Sequence, residues 1–168
     1  MEHDLNSDLW PDPAEHFFRD ATFKPMRQIG PRCVATVLAM LSGTTPQTFA
    51  GRINTQDPAS WSRALQPFGM KLAYCPTDVR KAKFYVPELL QLDDLFTVSY
   101  YTAPDPPSIL ADPDAEGWAG GSHIVILHRD QVLDPATGTR HPATDWSGAG
   151  KHTKRIFRVV PADHARGL

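Results

Sequence analysis

Four residues in this sequence have the types and spacing to support a reaction: Gln28, Cys33, His123 and Asp134. Cys33 opens the segment CVATVLAMLS, the strongest helical pattern in the chain. The free N–H groups and the macrodipole at a helix start favour negative charge, and the thiolate is the nucleophilic form of cysteine. The plain alternative for Cys33 is a small buried core residue, a common fate of free cysteines. His123 and Asp134 lie in HIVILHRDQVLD, which reads as a β-hairpin turning at Arg129-Asp130. That turn sets Leu127 opposite Val132 and Val125 opposite Asp134. His123 and Asp134 then become diagonal neighbours on one face, ~7–8 Å apart along the backbone and within side-chain reach. A carboxylate beside an imidazole fixes its tautomer and supports its protonated form. An aspartate among Ile124, Val125, Ile126, Val132 and Leu133 is out of apolar company unless it has a partner. Gln28 precedes Cys33 on a loop shaped by Gly30 and Pro31. There its amide can donate to an oxyanion together with the Cys33 N–H. Taken alone, it is an ordinary loop glutamine.

The order of these residues, in the stretches QIGPRCVATVLAML and GGSHIVILHRDQVLDPATG, resembles the papain-like cysteine peptidase superfamily. Within it the resemblance is to the double-glycine leader peptidases that process bacteriocin precursors and to their stand-alone relatives. It rests on about a fifth of the chain. It implies Cys33 as nucleophile, His123 as general base, Asp134 as the residue orienting the base and Gln28 as an oxyanion donor. It implies a peptide or protein substrate and no cofactor. Two features depart from the pattern. Val34 stands where the family often has glycine, and no transporter segment follows, so a substrate other than a double-glycine leader is expected. Two further readings stay open: an acyltransferase or crosslinking enzyme on the same triad, and a silent pseudopeptidase that binds peptide.

The elements that must position these residues follow from periodicity. Val34, Val37, Leu38 and Leu41 fall on one helical stripe, closed by Gly43. Thr45-Pro46 and Asp57-Pro58 each read as N-cap and first helical residue; the second helix runs through Gln66 and stops at Gly69. Met70–Cys75, Phe96–Tyr101 and a stretch near Arg155–Val160 read as strands, with one or two helical turns around Pro87–Leu90. Residues 103–122, rich in Pro, Asp and Gly, read as a long lid or rim loop. Gly120 and Gly121 would let a substrate backbone come close. The expected fold is α+β and papain-like: an N-terminal helical part carrying the nucleophile, packed on a C-terminal antiparallel sheet. Residues 1–25 read as an N-terminal arm, either laid over the domain or a mobile tail; the tail is favoured because termini are commonly untied. Residues 26–168 form the single peptidase domain.

Composition narrows the function class. With 168 residues and 41% hydrophobic content, the chain has the size and apolar share of one globular domain. A net charge of −2 argues against a phosphate-tracking nucleic-acid binder. Two cysteines allow neither a disulfide framework nor a four-cysteine zinc site, and His128 should point away from His123, so no metal site is expected. Asp105, Asp112 and Asp114 lack calcium-loop spacing. No apolar run is long enough for a membrane helix and the acidic start lacks a signal region, so a cytoplasmic protein is expected. Cys75 reads as a packed core thiol, and Trp118 and Trp146 as packing or as walls of the site. The basic residues Lys151, Lys154, Arg155, Arg158 and Arg166 read as a solvated face. The oligomeric state is not legible.

Overall fold

The structure is a computed structural model and describes residues 9–103 and 121–168. Among these, helix α1 spans Cys33–Ser42, α2 Pro58–Leu65 and α3 Val86–Leu92. The strands are β1 Met70–Cys75, β2 Leu95–Tyr101, β3 Ser122–His128, β4 Gln131–Asp134, β5 Thr139–Pro142 and β6 Thr153–Pro161. They form one antiparallel sheet in the order β1-β6-β2-β3-β4-β5. The fold is α+β, and no helix among the described residues is long and apolar enough to cross a membrane.

Three layers result. On one face, the α1 stripe of Val37, Leu38 and Leu41 joins Trp61 and Leu65 of α2 against Leu72, Ile124, Ile126, Leu133 and Phe157. Each such side chain, fully buried, stabilises by roughly 1.5–3 kcal/mol. On the other face, Val86, Leu89 and Leu92 of α3 cover Phe96, Val98, Val125, Leu127 and Ile156. The helices do not all come first in the chain: α3 lies between β1 and β2.

Local signals act as their chemistry dictates. The Asp57 carboxylate accepts the Ala59 N–H at 3.2 Å, capping α2 before Pro58. Pro46–Phe49 forms only a 3₁₀ turn, without a side-chain cap from Thr45. The β3–β4 turn is the expected pair Arg129-Asp130, with Arg129 at φ 58°, and Leu127 pairs with Val132. A two-residue hairpin needs such left-handed backbone to match strand twist.

The arm is packed from Leu9 onwards, where a mobile tail was favoured. Leu9, Trp10 and Phe23 are buried. The Leu9 N–H donates to Glu88. Asp94, fully buried just before β2, accepts the Phe17 and Phe18 N–H groups at 2.7 and 2.9 Å. Its other partner is Arg158 of β6, whose Nη2 lies 2.6 Å from Asp94 Oδ2 and also donates to the Glu15 carbonyl at 2.7 Å. Arg158 has no exposed surface, unlike the solvated residue expected there. Its guanidinium lies 4.8 Å from the ring centres of both Trp10 and Phe17. A cation inside the molecule requires this enclosure by carboxylate, carbonyl and aromatic faces. His128 also serves the arm, within 3.2 and 3.1 Å of the Phe18 and Arg19 carbonyls.

Candidate active site

Strand alternation places His123 on the α3 face of the sheet, opposite the α1 face that carries Ile124 and Ile126. It lies near the start of β3, however, where the sheet ends. The first residue of α1 acts on it there: hydrogen bonding and charge from the Cys33 side chain help to raise the His123 pKa. The site therefore lies at one end of the sheet, and the arm crosses the other end, beside Asp94.

The imidazole is held from its far side. His123 Nε2 lies 2.8 Å from Asp134 Oδ1. Because an ionised carboxylate only accepts, Nε2 carries the proton of that bond and Nδ1 remains for the thiol. Asp134 is 2% exposed and is itself fixed: the Ala136 N–H donates to Oδ1 at 2.9 Å, and the Ser147 hydroxyl to Oδ2 at 3.5 Å. Burial alone would raise the Asp134 pKa; the His123 and Ala136 hydrogen bonds outweigh it and hold the pKa below the usual carboxylate value. Burial alone would push the His123 pKa down; the hydrogen bonds to Asp134 and Cys33, with the charges behind them, bring it up to about 9. The site thus favours a proton on the ring, the form His123 takes once it has accepted one.

The Cys33 end of the site is built by an uncapped helix. No side chain caps α1, and its first turn holds no acidic residue. Its first backbone bond runs from Thr36 N–H to the Arg32 carbonyl at 3.1 Å. The amides of Cys33, Val34 and Ala35 therefore have no acceptor within the helix, and they offer donors to a developing oxyanion. Gly30 turns the chain into the helix at φ 68°, and the Arg32 N–H donates to its carbonyl at 2.9 Å.

Gln28 sits on that same turn. Its backbone N–H donates to the Pro135 carbonyl at 2.8 Å, so the loop before the nucleophile is tied to the residue after Asp134. Close by, Gly138 in the β4–β5 turn packs on Arg27; a Cβ there would lie 2.7 Å from the Arg27 Cβ. The Gln28 side chain folds back, with Nε2 donating to the Gly30 carbonyl at 2.8 Å. That uses one amide proton and leaves the second free. Cys33, His123 and Asp134 are brought into one chain of contacts; Gln28 is joined to it through the loop, without a hydrogen bond to any of the three.

Neither family models, nor curated proteins, nor solved structures match this chain. The chemistry is therefore read from the geometry alone.

Two residues that sequence reasoning missed support the His123–Asp134 pair. Tyr100 of β2 pairs with His123 across the sheet, and the two rings meet edge-to-face at 5.6 Å. Burial raises the Tyr100 pKa, Ser147 bonds its hydroxyl and lowers it, and the charges of Asp134 and Cys33 raise it further. Ser147, whose hydroxyl reaches Asp134, thus also acts on Tyr100. No local pattern announces either role, since both depend on strand pairing. Trp146 meets Tyr100 edge-to-face at 5.7 Å and so stands one layer behind the imidazole. Gly121 faces Thr102, whose Oγ1 would lie 3.0 Å from an added Cβ. Gly120, Trp118 and the aspartates at 105, 112 and 114 lie outside the described residues, as does most of the 103–122 loop. Cys75 is buried, as a packed thiol should be, and burial drives its pKa up to about 12. Among the described residues, no three His, Cys, Asp or Glu side chains are grouped to hold a metal ion.

Proposed function

We propose that this chain is a papain-like cysteine hydrolase that cleaves a peptide or isopeptide bond. One observation carries the reading: an imidazole is bonded at 2.8 Å to a buried carboxylate, and the thiol whose hydrogen bonding and charge help to raise its pKa is the first residue of an uncapped helix. His123 Nδ1 takes the Cys33 proton, and Sγ attacks the carbonyl carbon. Charge then develops on the carbonyl oxygen, where the Cys33 N–H and the free Gln28 amide proton donate. Collapse of the intermediate breaks the C–N bond, and His123 returns its proton to the departing amine. Water, deprotonated by His123, then attacks the thioester and frees Cys33.

The placement of the groups supports a papain-like arrangement. The nucleophile lies on a helix packed against an antiparallel sheet, and the base and its carboxylate lie on neighbouring strands β3 and β4. A cavity of about 200 Å³ beside the helix start, lined by Met26, Ile29 and Pro46 together with Arg27, Arg32, Thr36, Thr45 and Gln47, offers a place for a substrate side chain.

A proteome-derived peptide library, digested with wild type and with Cys33→Ala and read by mass spectrometry, tests the proposal. New termini should appear with wild type alone. Termini produced equally by Cys33→Ala, or by neither protein, would refute it. Products that incorporate an added amine in place of water would identify acyl transfer on the same triad.

A further inference from the structure

We propose that Lys154, aimed by a bulge in β6, binds a substrate carboxylate beside the bond being cut and gives the site a preference for acidic peptides. This rests on the hydrolase reading above. The bulge is visible in the register: β2 Ser99 pairs with Arg155 and Tyr100 pairs with Thr153, so Lys154 is an extra, unpaired residue. In a regular strand, Lys154 and Arg155 would point to opposite faces. Bulges re-aim side chains, and this one does so at the site.

Arg155 lies over Trp61 at 5.7 Å, on the α1–α2 face. Lys154 Nζ lies 3.4 Å from the Ser122 hydroxyl and 5.8 Å from the Tyr101 ring centre. Ser122 and Tyr101 neighbour His123 and Tyr100 in their strands, so they alternate onto that same α1–α2 face. Two consecutive cations are thereby turned to the face that carries the nucleophile helix, and the Lys154 ammonium bonds the residue just before the base.

Neither cation has a carboxylate partner among the described residues. Lys154 is half-buried. Burial and the Arg155 charge hold its pKa below the usual lysine value. The carboxylate nearest the reacting atoms, Asp134, is already committed to His123 and Ala136. A partly desolvated ammonium whose hydrogen-bond partner among the described residues is a hydroxyl gains most from an incoming carboxylate, through a charge-assisted hydrogen bond.

The test uses the full chain as wild type, Lys154→Met and Lys154→Arg. In the peptide-library digest, wild type should enrich Asp and Glu at one position flanking the cut. Lys154→Met should lose that enrichment and Lys154→Arg should keep it. Cleavage without acidic enrichment, or enrichment unchanged in Lys154→Met, overturns the proposal. A second measurement needs no turnover: the rate of Cys33 alkylation by anionic iodoacetate relative to neutral iodoacetamide. That ratio should fall about fivefold in Lys154→Met, the effect of one partly screened ion pair, and recover in Lys154→Arg. An unchanged ratio overturns carboxylate guidance by Lys154. Absence of all cleavage together with a lowered ratio would sink the hydrolase reading and leave the carboxylate site standing.

Discussion

Removing the two partners of His123 should move its titration across its ordinary value, not merely back to it. Three influences act on the ring: burial, which favours the neutral form, and the hydrogen bonds to Asp134 and Cys33, which favour the charged form. The balance lifts the pKa from 6.5 to about 9. At about 1.36 kcal/mol per unit, this is at most about 3 kcal/mol of preference for imidazolium, and less where solvent screens the ring. Asp134→Asn removes the charge but keeps an acceptor, and Cys33→Ala removes the other partner. Each single variant should lower the pKa by about one to two units if the two partners share the effect. In the double variant only burial remains, so His123 should titrate below 6.5. The assay is the pH dependence of the His123 ring resonances by NMR. Stability gives the same sign. A pKa raised on folding adds stability that is complete below about 6.5 and is lost as pH rises through about 9. The double variant should instead gain stability as pH rises through the folded-state pKa towards 6.5. A wild-type ring titrating near 6.5, or a double variant still well above it, would refute the account of the site.

Further outcomes follow from other parts of the structure. Iodoacetamide should label Cys33 in the native protein and Cys75 only after denaturation, since Cys75 is 3% exposed with its pKa driven up to about 12; peptide mapping reads this directly. Gln28→Ala should lower kcat by about 10²–10³ with KM nearly unchanged, the usual cost of one oxyanion donor; a changed KM with kcat intact would assign Gln28 to the loop alone. Asp94→Ala should cost about 3–5 kcal/mol in urea unfolding, because it leaves Arg158 charged and buried without its carboxylate, and protease should then cut the arm near Phe17.

Much of the site was legible because its determinants are local. The α1 stripe, the glycine that ends it and the Arg129-Asp130 turn are each fixed within ten residues, and the turn alone sets His123 diagonal to Asp134. What depends on distant pairing was not legible. Tyr100 becomes a neighbour of His123 only through the β2–β3 register. The strand β5, Thr-Arg-His-Pro, has too little apolar alternation to declare itself and forms by pairing with β4. Arg158 reads as solvated in any sequence window; its burial follows from Asp94, 64 positions away, and from the arm. The docking of residues 9–25 is hidden for the same reason, because Trp10 and Phe17 have no visible partner until β6 brings Arg158 beneath them.

The place of β6 in the sheet bears on when activity can arise during synthesis. This strand is the last of the described strands in chain order, yet it is inserted between β1 and β2. A growing chain can form α1, α2 and β1 as one piece and the β2–β5 meander as another. The hydrogen-bonded seam between those pieces waits for β6. Such long-range pairing is slow to form, since the loops must close before the contacts reward them. Cys33 belongs to the early piece, and His123 and Asp134 belong to the late one. Until β6 joins the two pieces, Cys33 and His123 have no continuous sheet to hold them together, so a nascent chain carries the parts of the candidate site without its final geometry.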